Sequence, residues 1–145
     1  MRRLLVLLTA VMVLWSSASL AKEQVLEVRE NGQIAFMMPS GNIDCIYTPK
    51  GGVDIYTPAN GGPELSCDRI EPKYVNIRLG VDAPAILTED PEEQPCCSGD
   101  SIFAYGNTAK LGNDFICSSS TAGLICETAD KKHGLCLSRT RTLHY

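Results

Sequence analysis

The sequence predicts an all-β fold, a small disulfide-stapled antiparallel sandwich or barrel preceded by a signal peptide. Three observations predict it. Clusters of Gly, Pro, Asn and Asp recur roughly every 8–12 residues, the rhythm of turns in sandwiches and barrels. Beyond the leader, no stretch of about 11 residues or more repeats its apolar positions with the period of a helix. Seven cysteines sit in a chain that reads as exported, where a disulfide is the default fate of a thiol.

The leader comes first. Met1-Arg2-Arg3 is followed by an apolar run over residues 4–15 and then by Ser16-Ser17-Ala18-Ser19-Leu20-Ala21. Basic, apolar and small residues in that order mark a secretory leader, with Ser19 and Ala21 placed for cleavage before Lys22. The run is shorter than the roughly 20 apolar residues a spanning helix needs. Residues 1–21 are therefore expected to be removed, leaving 22–145 as one exported domain in the periplasm or outside the cell. That domain keeps all seventeen acidic side chains and eleven of the thirteen basic ones, a formal charge of −6. Such a surface repels phosphates and anionic lipid, so nucleic acid and, after cleavage, the membrane are not expected as partners. A cationic protein or peptide is.

Along the domain, Asn31-Gly32 separates β-prone residues 23–29 from 34–38, the pattern of a hairpin. Strands are expected at 45–48 and 53–57, set apart by Pro49-Lys50-Gly51-Gly52 and followed by the turn cluster 58–63. Residues 74–79 alternate cleanly, with Val75, Ile77 and Leu79 on one face. Later strands are expected at 102–105, 108–111, 115–117, 124–127 and 135–143. The acidic, Pro-containing stretch 89–95 reads as a solvated loop; it lacks the Asp-x-Asp-x-Asp-Gly order of a calcium loop. No internal repeat is evident.

The cysteines follow from the compartment. Seven cannot all pair within one chain, so one thiol is odd. Cys117 and Cys126 flank a segment that turns back around Gly123, which brings them within reach across a hairpin. Cys45 and Cys67 flank a Gly- and Pro-rich excursion that they can close in the same way. The third bridge is expected from Cys136 to one of the adjacent Cys96 and Cys97, with Cys97 preferred. Zinc is disfavoured, because no Cys-x-x-Cys pair is present, and neither a metal nor a cofactor is expected.

Few residues carry chemistry. There is no Gly-x-Ser-x-Gly elbow, no P-loop and no His-Glu-x-x-His. His133 is a turn histidine that acts as a base only if a nucleophile comes within hydrogen-bond reach. Ser138 or the odd cysteine is the candidate, which gives a small exported hydrolase or thiol-redox protein as the alternative function. Ser138-Arg139 reads as an anion clamp or, preferred, as an arginine laid over the last strand and paired with an acid. Asn42 sits in the turn Ser40-Gly41-Asn42. The leading expectation is a non-enzymatic binding or inhibitory module, with contact residues among Asn42, His133, Ser138 and Arg139. A structural envelope component, monomeric or Cys-linked as a dimer, is the third.

The run Phe36-Met37-Met38-Pro39-Ser40-Gly41-Asn42-Ile43-Asp44-Cys45 resembles the opening motif of a family of small exported bacterial proteins of unknown function. Leu65-Ser66-Cys67-Asp68-Arg69-Ile70, Tyr105-Gly106-Asn107-Thr108, Phe115-Ile116-Cys117 and Gly123-Leu124-Ile125-Cys126 continue the resemblance in order. The closing His133-Gly134-Leu135-Cys136-Leu137-Ser138-Arg139 is similar to the family's Gly-His-Gly-Phe-x-Leu-Ser-Arg. The resemblance covers about residues 36–140. It implies the Cys45–Cys67 and Cys117–Cys126 pairings and no activity. The chain departs from that pattern at Cys136, at the doubled Cys96-Cys97 and at Lys131-Lys132.

The intact mass of the exported protein, measured without reduction, is expected to begin at Lys22 and to show a monomer with one alkylatable thiol. A doubled mass without a free thiol would instead make the odd cysteine a dimer link.

Overall fold

The computed structural model describes residues 20–92 and 99–145, so nearly all of the expected leader, and Cys96 and Cys97, lie outside the described residues. The described chain is all-β, two six-stranded sheets packed as a sandwich. One sheet is built on an antiparallel meander of β2 (Ile34–Met37), β3 (Ile43–Thr48), β4 (Glu64–Arg69), β5 (Val75–Leu79) and β6 (Ile86–Glu89). The other is built on a meander of β8 (Asn107–Leu111), β9 (Phe115–Ser120), β10 (Gly123–Thr128), β11 (Gly134–Leu137) and β12 (Thr142–His144). Two short strands are exchanged between the halves. β1 (Lys22–Glu23) runs parallel to β8, and β7 (Ser101–Ile102) runs parallel to β2.

Both sheets therefore follow one plan, five antiparallel strands with a two-residue parallel strand added to the first. The repeat absent from the sequence reading is present in the register. In one sheet the inward row is Phe36–Cys45–Cys67–Ile77, and in the other Ala109–Cys117–Cys126–Leu135. The neighbouring rows pair Leu65 with Leu79 and Leu124 with Leu137. The signals were two: a Gly-Asn turn just before the first cysteine of each half (Gly41-Asn42, Gly112-Asn113) and a Leu-x-Cys at the second (Leu65-Ser66-Cys67, Leu124-Ile125-Cys126). With so few identities spaced unequally, only the pairing of strands aligns them.

Both expected bridges are formed, Cys45–Cys67 between β3 and β4 and Cys117–Cys126 between β9 and β10. Each joins directly opposed residues with Cα atoms 4.1 Å apart. All four cysteines are buried in the common core with Phe36, Leu65, Ile77, Leu111, Phe115 and Leu135. Two edge-to-face aromatic pairs add to this core: Phe36 with Phe103 at 5.5 Å, and Tyr47 with Phe115 at 6.1 Å, which joins the two sheets. Such pairs contribute about 0.5–1.5 kcal/mol each beyond area burial.

The two seams of the sandwich are closed by polar contacts. At one, Gln24 donates to Ile102 O (2.8 Å) while its Oε1 accepts from Ala104 N (3.1 Å) and Asn107 Nδ2 (2.9 Å). At the other, Ala85 N donates to Tyr145 O, and His144 Nδ1 lies 2.9 Å from Ala85 O. Arg69 is buried between the sheets, donating to Ser138 O (3.1 Å), Thr142 Oγ1 (2.8 Å) and Lys73 O (3.0 Å).

Several expected elements are corrected. The Asn31-Gly32 turn forms, with Gly32 N donating to Arg29 O, but residues 24–29 are not a strand. Val25 and Val28 are exposed there, with no sheet to cover them. Residues 53–57 make a tight turn in which Val53 and Tyr56 exchange backbone hydrogen bonds, and Ile55 projects into solvent. β4 was missed because Glu64, Ser66, Asp68 and Arg69 dilute its apolar signal; only Leu65 and Cys67 carry the inward alternation. The expected strand 135–143 is broken at Ser138, where Ser138 N donates to Arg141 O and Ser138 Oγ accepts from Thr140 N.

Cys136 carries a free thiol; the partners expected for it, Cys96 or Cys97, lie outside the described residues. Leu135 and Leu137 point into the core, and strand alternation turns Cys136 outward, in register with Ile125 and Leu143.

Replacing Cys117 and Cys126 together by Ala should lower unfolding stability by about 3 kcal/mol, the loop-closure value for bridges of this span. Urea unfolding monitored by circular dichroism checks it.

Candidate functional site

Three turns meet at one end of the sandwich around a cavity of about 170 Å³. The β2–β3 turn supplies Ser40 and Asn42, the β9–β10 hairpin supplies Ser120, Thr121 and Gly123, and the β11–β12 turn supplies Ser138 and Arg139. Met38 and Ile43, both buried, form an apolar floor, and Tyr105 stands at the side. Three of the four expected contact residues, Asn42, Ser138 and Arg139, are thus brought together. His133 is not among them.

Each turn is shaped by short polar side chains closing on their own backbone, as Ser and Asn do in turns. Ser40 Oγ accepts from Asn42 N (3.3 Å), Ser120 Oγ from Ala122 N (3.2 Å), and Ser138 Oγ from Thr140 N (3.3 Å). Gly123 has φ +135°, and a Cβ there would strike Leu137 O and lie 2.8 Å from Ser138 Cβ. Only glycine lets the hairpin approach the β11–β12 turn this closely. That turn is anchored from below by Arg69, which donates to Ser138 O.

The groups differ in what they have left to offer. Asn42 Nδ2 donates to Glu71 O (2.9 Å) and its Oδ1 accepts from Glu71 N (2.7 Å), so this amide ties two turns together. Its role is structural. Arg139 lies in the turn after β11 instead of over the last strand, is exposed, and pairs with no acid among the described residues. The preferred reading of an acid-paired arginine is corrected: the turn carries the side chain off the sheet. None of the described residues lining the cavity is acidic.

No family model, curated protein or solved structure matches this chain. The site is therefore read from its own chemistry.

His133 precedes β11 and Ser138 follows it, so the length of the strand, about 16 Å, separates them. Proton transfer needs a heavy-atom distance of about 3 Å, and this pair does not meet it. His133 is half-buried beside Thr128, whose Oγ1 accepts from its backbone N, and its ring Nδ1 has no hydrogen-bond partner among the described residues. No hydrogen bond among the described residues joins it to Cys136, which faces outward between Ile125 and Leu143.

The opposite end holds a second cavity, two of whose three turns, β8–β9 and β5–β6, are the repeat equivalents of β2–β3 and β11–β12. There the β8–β9 turn (Asn113, Asp114), the β5–β6 turn (Val81, Asp82) and the β10–β11 turn surround about 260 Å³. The lining is acidic where the first cavity carries Arg139. The hydroxyl of Thr128 and then Lys132 N hold the Asp130 carboxyl below its ordinary range. Tyr47 donates to Asp114 Oδ2 at 2.6 Å; burial first, then this bond, lifts its phenol well above the usual value. Sequence reasoning missed Thr121 and Tyr105. The run Ser118-Ser119-Ser120-Thr121 was the available signal, a cluster of hydroxyls at the tip of an expected hairpin.

Tyr56 donates to Glu64 Oε1 at 2.7 Å, and burial and this bond push its pKa up to about 12. A tyrosine that ionises later when folded loses stability where the unfolded chain already ionises. The contribution of Tyr56 to stability is expected to be level below pH 10 and to fall as the pH rises towards 12. Replacing Tyr56 by Phe should shrink that fall, as followed by unfolding against pH.

Proposed function

We propose that this protein is an exported, non-enzymatic binding module whose partner is a cationic protein or peptide. The observation that carries the binding-module reading is the gathering of three turns around the cavity between Ser40, Thr121 and Arg139, while His133 is held at the far end of β11. The cationic partner is supported separately, by the acidic surface. A nucleophile–base pair needs convergence; a recognition surface needs shape and donors. The two core disulfides are compatible with an oxidising, exported environment. The charge of −6 over residues 22–145 attracts cationic partners during encounter, and the acidic end with Asp82, Asp114 and Asp130 concentrates part of it.

A second reading, a structural dimer, is favoured by one observation. Cys136 is a partly exposed thiol between the exposed Ile125 and Leu143.

A fluorescent Lys-rich peptide is expected to bind the protein in fluorescence anisotropy, with affinity falling as salt rises. Charge reversal at the exposed Asp82 and Glu92 should weaken binding several-fold. Binding that ignores both salt and these substitutions, or none at low salt, removes the cationic partner. A histidine-dependent hydrolase activity abolished by His133→Ala would restore the enzyme reading.

A further inference from the structure

We propose that the cavity between the β2–β3, β9–β10 and β11–β12 turns is a binding site for a small carboxylate with a short apolar body. The proposal names a ligand for the site and rests on reading the protein as a binding module.

The inventory of hydrogen-bonding groups leads to this class. The hydroxyl oxygens of Ser40 and Ser138 already accept from backbone N–H groups, and each keeps its O–H free to donate beside one remaining lone pair. Thr121 and Tyr105 add hydroxyls that make no hydrogen bond among the described residues, and Arg139 adds a guanidinium with five donors and no acceptor. With no acid among the described residues of the lining, the site is rich in donors and carries no anion there. In a domain of charge −6 this is a local reversal of sign.

Three features narrow the anion to a carboxylate. The planar fork of arginine matches a carboxylate with two parallel hydrogen bonds. A single guanidinium balances one negative charge, whereas a phosphate monoester carries nearly two and the surrounding acidic field opposes the excess. Met38 and Ile43 form a floor that holds no polar partner for further ligand oxygens but packs well against methyl or methylene groups. At about 170 Å³ the cavity is small for a ligand site, which suits a short organic acid or the last residue of a peptide.

The test is a titration of the intact, disulfide-bonded protein followed by amide NMR shifts. The probes are butyrate, N-acetyl-alanine, N-acetyl-alaninamide and inorganic phosphate. Both acids should shift residues 40–43, 120–123 and 138–141, and butyrate against N-acetyl-alanine separates a free organic acid from a peptide C-terminus. The amide should bind about tenfold more weakly or worse, the cost of losing a charged hydrogen bond. Arg139→Gln should lose a similar factor with an unchanged fold, since Arg139 supports no other residue, and Thr121→Val should lose less. The proposal is overturned if the amide matches the acid, if phosphate competes better than either acid, if Arg139→Gln binds normally, or if no acid shifts these residues. Failure of the acids with retained binding of the Lys-rich peptide removes this site and leaves the binding module standing. The reverse result removes the cationic partner alone.

Discussion

Register is the constraint on which the molecule depends, and in each sheet one pair of directly opposed cysteines enforces it. A strand that slips by one residue sends its apolar side chains to solvent and its polar ones into the core. In β4 such a slip would bury Ser66 in place of Leu65 and Cys67; in β10 it would bury Ile125 and Glu127 and expose Leu124 and Cys126. The bridges Cys45–Cys67 and Cys117–Cys126 make that slip impossible without bond rupture. Once both central hairpins are held, the inward rows, the lengths of the turns and the position of each loop tip follow.

The cavity is a product of that order. None of its hydroxyls lies on a regular strand interior facing the core; they sit where strands end and neighbouring turns converge. Arg69 links this rim to the opposite sheet by donating to Ser138 O and Thr142 Oγ1 from a buried position. The cavity at the other end is lined by Asp82, Asp114 and Asp130, so the two ends of the sandwich present opposite charge.

Much of the architecture was legible in the residues. Val75, Ile77 and Leu79 announced β5 by simple alternation, and the two cystines could be placed because each pair flanks a segment able to turn back. The elements that misled share a cause: propensity without burial. Val25, Val28 and Ile55 have β-prone side chains, yet no layer covers them. β4 erred the other way, since tertiary contacts bury Glu64, Asp68 and Arg69 that a linear reading assigns to solvent. At the site, Asn42, Ser138 and Arg139 were visible as motif residues, but their convergence depends on which turns share an end of the sandwich. The same topology places His133 and Ser138, five positions apart in sequence, at opposite ends of a strand.

The exchange of β1 and β7 between the sheets has an effect on the chain as a whole. Each cystine lies within its own half, so among the described residues no covalent bond other than the main chain joins the two meanders. If the backbone were opened between β6 and β7, each fragment would keep its cross-link and would still carry the outermost strand of the other's sheet. The halves are reciprocal donors, with the Gln24 contacts and the shared core as their recognition surface. Each half is therefore missing an edge that only the other half can supply.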